Sequence, residues 1–298
     1  MNAEGEADDG SAVRARLDLG YDGGGFHGWA RQPGRRTVQG ELEAALTVLF
    51  ARQAPAPGVT VAGRTDVGVH ATGQVAHVDL SEAQLRRLAS ARGGRLDRAA
   101  AIVSLARRLN GIAGRKGDVR VHRSAEAPPG FDARFGALWR RYEYRIADRI
   151  ESQDPRSRGM TLWRPQELDL DAMQEAADGL LGLHDFASFC RPRPEATTIR
   201  TLQSFSWTRE PDGVLVARLQ ADAFCHSMVR ALVGACVAVG EGRLAPRRVA
   251  GLRDEARRTS EFAVLPAHGL TLVEVGYPPD EELAARAERT RARRALDD

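Results

Sequence analysis

Cysteine is scarce in this chain: three residues in 298, at Cys190, Cys225 and Cys236, odd in number and with no CxxC pair. That usage argues against a disulfide framework or a zinc cluster and suits a reducing compartment. Cys236 sits among apolar residues and reads as a small core filler. Long apolar runs are missing too. No stretch approaches the roughly 20 uninterrupted apolar residues of a membrane helix, so no membrane association is expected. Met1 to Ala12 is short and acidic with no apolar centre, unlike a secretion signal, and the expected location is the cytoplasm. Gly23-Gly24-Gly25 is followed by no P-loop lysine, which argues against that kind of phosphate site. No internal repeat is convincing.

What is present describes a globular protein: 43% hydrophobic and 28% charged residues over a length sufficient for two domains. The net charge is +3, suggestive of a polyanionic partner and no more. Arginines cluster at Arg31-Arg35-Arg36, Arg107-Arg108 through Arg115-Lys116, Arg134-Arg140-Arg141, Arg191-Arg193-Arg200 and Arg243-Arg247-Arg248. A solvated surface explains them, and so does a phosphate-binding face with salt-dependent affinity.

Periodicity predicts a strand over Val13 to Leu19, then a loop through Tyr21-Asp22-Gly23-Gly24-Gly25, then a helix capped by Thr37 with Val38, Leu42, Ala45, Leu46 and Leu49 on one face. A short apolar segment, Val59 to Ala62, leads into Gly63-Arg64-Thr65-Asp66, and a strand resumes at Val75 to Leu80. Ser81 caps a further helix through Leu85 and Leu88, and Ala99 to Asn110 is helical. Val119 to Arg123 is extended, and Pro128-Pro129-Gly130 marks a seam. Beyond it come a strand at Leu138 to Ile146, a helix from Asp171 to Leu181, and a hairpin of Leu202 to Thr208 with Val214 to Ala221. Met228 to Gly240 is a strongly apolar helix, Pro246 opens a short one, and Leu270 to Val275 closes as a strand. After Pro279 the chain is charged without an apolar stripe, so the segment 280–298 is expected to be frayed, as is the acidic tail 1–12. Elements recur in a similar order in both halves. The expected fold class is α+β: two similar domains, 13–130 and 131–279, with mainly antiparallel sheets flanked by helices and joined around a basic cleft.

Gly63-Arg64-Thr65-Asp66-Val67-Gly68-Val69-His70 is the most unusual stretch. A carboxylate lies between glycines that let the backbone turn and a substrate approach. A loop fed by a strand is a common way to present a catalytic group, and a nearby guanidinium would fix the orientation of Asp66. A turn aspartate paired to an arginine for stability satisfies the same pattern. His70, His77 and Asp79 invite a metal site, since His77 and Asp79 share a strand face, but two ligands at that spacing do not complete one.

The stretch Gly63 to Ala71 resembles the signature of the tRNA pseudouridine synthase A family, and further segments follow in the family's order. Tyr21-Asp22-Gly23 through Phe26-His27-Gly28-Trp29-Ala30-Arg31-Gln32 with Thr37-Val38-Gln39 is similar to its opening segment. Arg140-Arg141-Tyr142-Glu143-Tyr144 matches its central element, and Phe224-Cys225-His226-Ser227-Met228-Val229-Arg230 the start of its buried helix. Gly269-Leu270-Thr271-Leu272 precedes Tyr277-Pro278 as in family members. Gly24-Gly25, Ala30, Cys225 and Ser227 depart from the usual residues. The likeness spans about residues 13 to 279. It implies an isomerase that turns uridine into pseudouridine in the anticodon arm of tRNA, at tRNA positions 38, 39 and 40, acting as a homodimer. It makes Asp66 the catalytic aspartate and nucleophile, with Arg64 and Arg230 beside it as salt-bridge partner and support; because Arg230 opens an apolar helix, an internal ion pair is expected for it, with Asp66 as the partner. Tyr142 would hold the target base and Leu270 would line the apolar side of the pocket. The reaction changes no oxidation state and transfers no group, so no cofactor or metal is implied. A carboxylate can attack the sugar or remove a proton from it, and both routes stay open. A non-catalytic RNA-binding protein and a metal-dependent hydrolase using His70, His77 and Asp79 are the competing classes.

Overall fold

The computed structural model describes residues 12–53, 55–89, 97–192 and 197–295. The first half contains β1 (Val13–Tyr21), α1 (Val38–Leu49), β2 (Thr60–Val61), β3 (His70–Leu80), α2 (Glu82–Ala89), α3 (Arg98–Ile112) and β4 (Val119–Glu126). The second contains β5 (Trp139–Ala147), β6 (Leu162–Trp163), α4 (Leu170–Asp178), β7 (Gly182–Asp185), β8 (Ile199–Arg209), β9 (Leu215–Ala221), α5 (Met228–Gly240), α6 (Pro246–Asp254), β10 (Leu270–Gly276) and α7 (Leu283–Ala295).

Local chemistry accounts for most boundaries. Thr37 caps α1 by accepting the Gly40 amide at 3.2 Å. Ser81 and Gln84 form a reciprocal box at the start of α2, at 3.0 and 3.3 Å. Asp97 and Asp169 cap α3 and α4 in the same way, and Pro246 occupies the first turn of α6. Apart from Arg230, α5 is apolar all round because the helix is buried all round. Gly234 within it admits the Ala263 carbonyl so closely that a Cβ would stand 2.0 Å from that oxygen.

The strands form a single sheet in the order β4-β1-β3-β10-β5-β9-β8-β7, with β2 on β3 and β6 on β5. Every pairing is antiparallel except β3 with β10 and β5 with β6. The chain is therefore α+β with a mainly antiparallel sheet flanked by helices, as expected. The last strand of the sheet in sequence is its joint. β10 lies between β3 of the first half and β5 of the second, pairing Leu272 with Ala71 on one side and with Tyr142 on the other. One hydrophobic cluster runs through both halves.

Two expectations are overturned. The segment after Pro279 is not frayed through its described length: α7 docks on the body by burying Leu283 and Ala287. Arg291 of this helix pairs with Asp132. Its apolar stripe is one turn long, too short to stand out among charges, and the partner surface that makes it count comes from residues some 150 positions earlier. Cys190 and Cys225, far apart in sequence, form a disulfide with their Cα atoms 5.8 Å apart. The turn at Ala187–Phe189 is packed against α5, and the Arg191 amide donates to the His226 carbonyl at 3.0 Å; that proximity is invisible to cysteine spacing. Cys236 is buried, and burial pushes its thiol up to about 12. Of the acidic tail, residues 1–11 lie outside the described residues.

Candidate active site

Asp66 sits on the loop between β2 and β3, and the opening segment of the chain holds that loop. The Trp29 amide donates to the Thr65 carbonyl at 3.0 Å and the Gly68 amide to the Phe26 carbonyl at 3.3 Å. Gly28 (φ +84°) makes this approach possible: a Cβ there would lie 2.9 Å from the Thr65 oxygen and 3.2 Å from the Asp66 carbonyl carbon. From the other side, the buried Tyr21 hydroxyl and Thr65 Oγ1 share a hydrogen bond of 2.8 Å. The fully buried Gln74 donates to the Tyr21 hydroxyl at 3.2 Å and the Gly63 carbonyl at 2.8 Å. Burial pushes the Tyr21 phenol up to about 12 against the pull of its bonds with Thr65 and Gln74, so it serves as a neutral strut. Tyr21 falls in the opening segment without a role attached to it, and Gln74 does not stand out in the sequence. Gln74 is a polar residue inside an apolar strand that begins five residues before the first one periodicity assigned to it.

The groups that meet the Asp66 carboxylate come from the second half. Arg230 Nη2 lies 3.4 Å from Oδ2, and His226 Nε2 lies 3.3 Å from Oδ1. Arg230 is itself held by the Leu265 carbonyl at 3.2 Å and by Ser227 Oγ at 2.9 Å. Ser227, just before α5, has φ +66°. A left-handed conformation is costly for serine and is stored where the surroundings enforce it. Here it turns the chain so that His226 and Arg230 face the same carboxylate. Arg64, expected to be the salt-bridge partner, makes no ion pair with Asp66. The Arg64 side chain is exposed in the same cleft. The sequence pointed to Arg230. The motif Phe-x-His-x-Met-Val-Arg contained His226, but spacing alone attached no role to it.

Asp66 lies in a cleft of about 1070 Å³, larger than most small-molecule sites. Tyr142 and Leu270 line it, brought together because β5 and β10 are neighbours. The Tyr142 ring stands edge-on to Phe224 with centroids 5.2 Å apart. Burial raises its phenol well above the usual tyrosine range, with Tyr21 and Asp66 adding to the shift against Arg140, so it stays protonated around neutral pH. Arg140 reaches from β5 to the Ala62 carbonyl at 2.8 Å and the Asp222 carbonyl at 2.7 Å. It ties the strand before the Asp66 loop to the end of the β8–β9 hairpin.

The other candidates disperse. The His77 ring accepts the Ala133 amide at 3.1 Å, and burial lowers its pKa. His70 accepts the Gly23 amide at 3.0 Å, and Asp79 pairs with Arg14 at 2.7 Å. Among the described residues no three groups converge as metal ligands. Several clustered arginines are also committed internally: Arg36 to Asp118 at 2.6 Å, Arg141 to Glu274 at 2.6 Å, and Arg248 to Glu255 at 2.6 Å. Arg193 lies outside the described residues.

The chain matches the family model described as tRNA pseudouridine synthase over residues 176–278. It is 61% identical to tRNA pseudouridine synthase A of Leifsonia xyli subsp. xyli, across 96% of this chain and 99% of that protein. It is 56% identical to the protein of the same name from Frankia casuarinae, across 94% and 95%. A solved archaeal box H/ACA ribonucleoprotein complex shares 10% identity across 75% of this chain and 44% of that one, at a TM-score of 0.30, too loose a likeness to bear on the fold.

Proposed function

This chain belongs to the tRNA pseudouridine synthase A family, and on that premise we propose that it isomerises uridines of the tRNA anticodon arm, at positions 38, 39 and 40, with Asp66 as nucleophile. The observation that carries the reading is the convergence of Asp66 from the first half with His226, Arg230 and Tyr142 from the second at one cleft. The same convergence supports 13–130 and 131–279 as the two domains.

The target uridine leaves its stack to reach this depth, which costs a few kcal/mol. A carboxylate oxygen of Asp66 then attacks C1′ as the N1–C1′ bond breaks, and the bonding pair leaves with the base. Arg230 and His226 hold the carboxylate in place for that approach. The freed base keeps its face against Tyr142, worth about 1–3 kcal/mol, and a ring face does not dictate the in-plane angle. The base turns, C5 attacks C1′, and the carboxylate departs. The C5 proton is lost and N1 gains one, so atoms and charge balance without a cofactor. Tyr142 is a wall for the base, its phenol pKa raised by burial. Leu270 closes the apolar side, and the exposed Arg64 faces incoming RNA. A homodimer in the cytoplasm completes the proposal on family resemblance, with one subunit free to grip the tRNA body while the other reacts.

The test uses tRNA tritiated at uridine C5, because isomerisation must release that hydrogen to water. Asp66→Asn is expected to abolish release while filter binding still retains the tRNA. Release at the wild-type rate would end the assignment.

A further inference from the structure

Beyond the strands that carry the chemistry, the cleft has a wall supplied by α7. Arg286, Arg289 and Thr290 line the same cleft as Asp66. The helix is seated so that this face is presented and held. Leu283 and Ala287 are buried one turn apart. Gly130 (φ +77°) lets the backbone of α7 approach so closely that a Cβ there would lie 2.7 Å from Ala284 Cα. Arg291 pairs with Asp132 and lies 5.3 Å from the centre of the Phe135 ring. Arg286 donates to the Ala137 carbonyl at 3.2 Å, and its Nε is buried with no partner. Arg289 bonds only the Ala285 carbonyl of its own helix, at 3.3 Å, and meets no carboxylate among the described residues. The residues lining the cleft include seven arginines and two aspartates, Asp66 and Asp222, and Asp222 is occupied by the Thr201 and Ala223 amides.

Positions three apart on a helix are surface neighbours. Two guanidiniums so placed, at the mouth of a strongly positive cleft, suit consecutive anionic groups on one strand. We propose that α7 is a phosphodiester clamp, in which Arg286 and Arg289 bind the RNA backbone next to the nucleotide that enters the cleft. This deepens the functional reading above and rests on it for the identity of the RNA. It assigns a binding role to a segment whose composition suggested only a charged tail.

The experiment measures tRNA affinity for the full-length chain as a function of salt. Each phosphate contact contributes about 0.7–0.9 to the slope of log K against log salt, which at 0.1 M corresponds to about five- to eightfold in affinity. Arg289→Gln is expected to lower the slope by about that amount, and Arg286→Gln with Arg289→Gln by about twice as much. The loss should fall on KM for tRNA and not on kcat, and Arg289→Lys should restore most of the slope. Thermal melting of each variant separates lost binding from lost folding. If Arg286→Gln melts early, Arg289→Gln alone decides, since among the described residues its side chain bonds nothing outside its own helix. Wild-type affinity and slope in Arg289→Gln and the double variant would overturn the clamp. A wild-type chain that binds tRNA but releases no tritium would overturn the functional reading alone, and the slopes would still judge the helix.

Discussion

Replacing Arg230 by Gln removes the guanidinium that, among the described residues, touches Asp66, and the structure allows the consequence to be sized. Two unit charges 3.4 Å apart interact by about 1 kcal/mol in a water-like medium and about 5 kcal/mol at an effective dielectric near 20. The side chains are 18% and 28% exposed, which places the useful value in the lower half of that range, about 1.5–3 kcal/mol. If that interaction aligns the carboxylate for attack, the chemical step should slow about 10- to 100-fold. The assay is single-turnover tritium release with enzyme in saturating excess over tRNA, which isolates chemistry from association. Arg230→Lys keeps the charge but cannot reach Asp66, Ser227 and the Leu265 carbonyl together, so an intermediate rate is expected. A rate for Arg230→Gln within twofold of wild type would refute the reasoning. So would the reversed result, in which Arg64→Gln reproduces the loss and Arg230→Gln does not.

Two further outcomes follow from the scaffold. Gly28→Ala is expected to cost about 2–4 kcal/mol, combining a left-handed φ with a Cβ 2.9 Å from the Thr65 oxygen, and to slow tritium release because the Asp66 loop must shift. Gly34→Ala is the control: it has φ +67° but open space around it, so only the conformational cost of about 1–2 kcal/mol applies; equal denaturation midpoints for the two variants would contradict this account. Burial pushes the Asp148 carboxyl up, but the Arg209 guanidinium at 2.7 Å and the Leu168 amide at 2.9 Å outweigh it, and its pKa is held below the usual carboxylate value. A folded-state pKa lowered in this way adds stability above the unfolded value, and that stability is lost as pH falls through the folded one. Asp148→Asn should therefore destabilise by about 2–4 kcal/mol at neutral pH, toward the low side for a buried pair because Arg209 is partly exposed. Melting curves should show the gap from wild type closing below pH 4, and a gap that widens on acidification would contradict the assignment.

The local elements were legible because their causes are local. The Thr37 and Ser81 caps, Pro246 in its first turn, the alternation of β1 and the strongly apolar α5 are written in neighbouring residues, and the structure has them where periodicity put them. The ordered motifs likewise pointed to Asp66, Tyr142, Arg230 and Leu270, which line one cleft. The sequence offered both Arg64 and Arg230 as partners of the carboxylate, and tertiary structure decided between them. Adjacency in sequence favoured Arg64, which makes no ion pair with Asp66, while the fold brings His226 and Arg230, with the left-handed Ser227 between them, to the carboxylate from some 160 residues away. Tertiary contact likewise made a docked wall of α7, since two small apolar residues signify little until a surface exists to bury them. The same contact joined Cys190 to Cys225 and assigned many of the clustered arginines to internal carboxylates. Composition and spacing determine what a segment can become; which of several available partners a charge, a thiol or a short apolar stripe takes is set by distances that exist only once the sheet has brought the two halves together at β10.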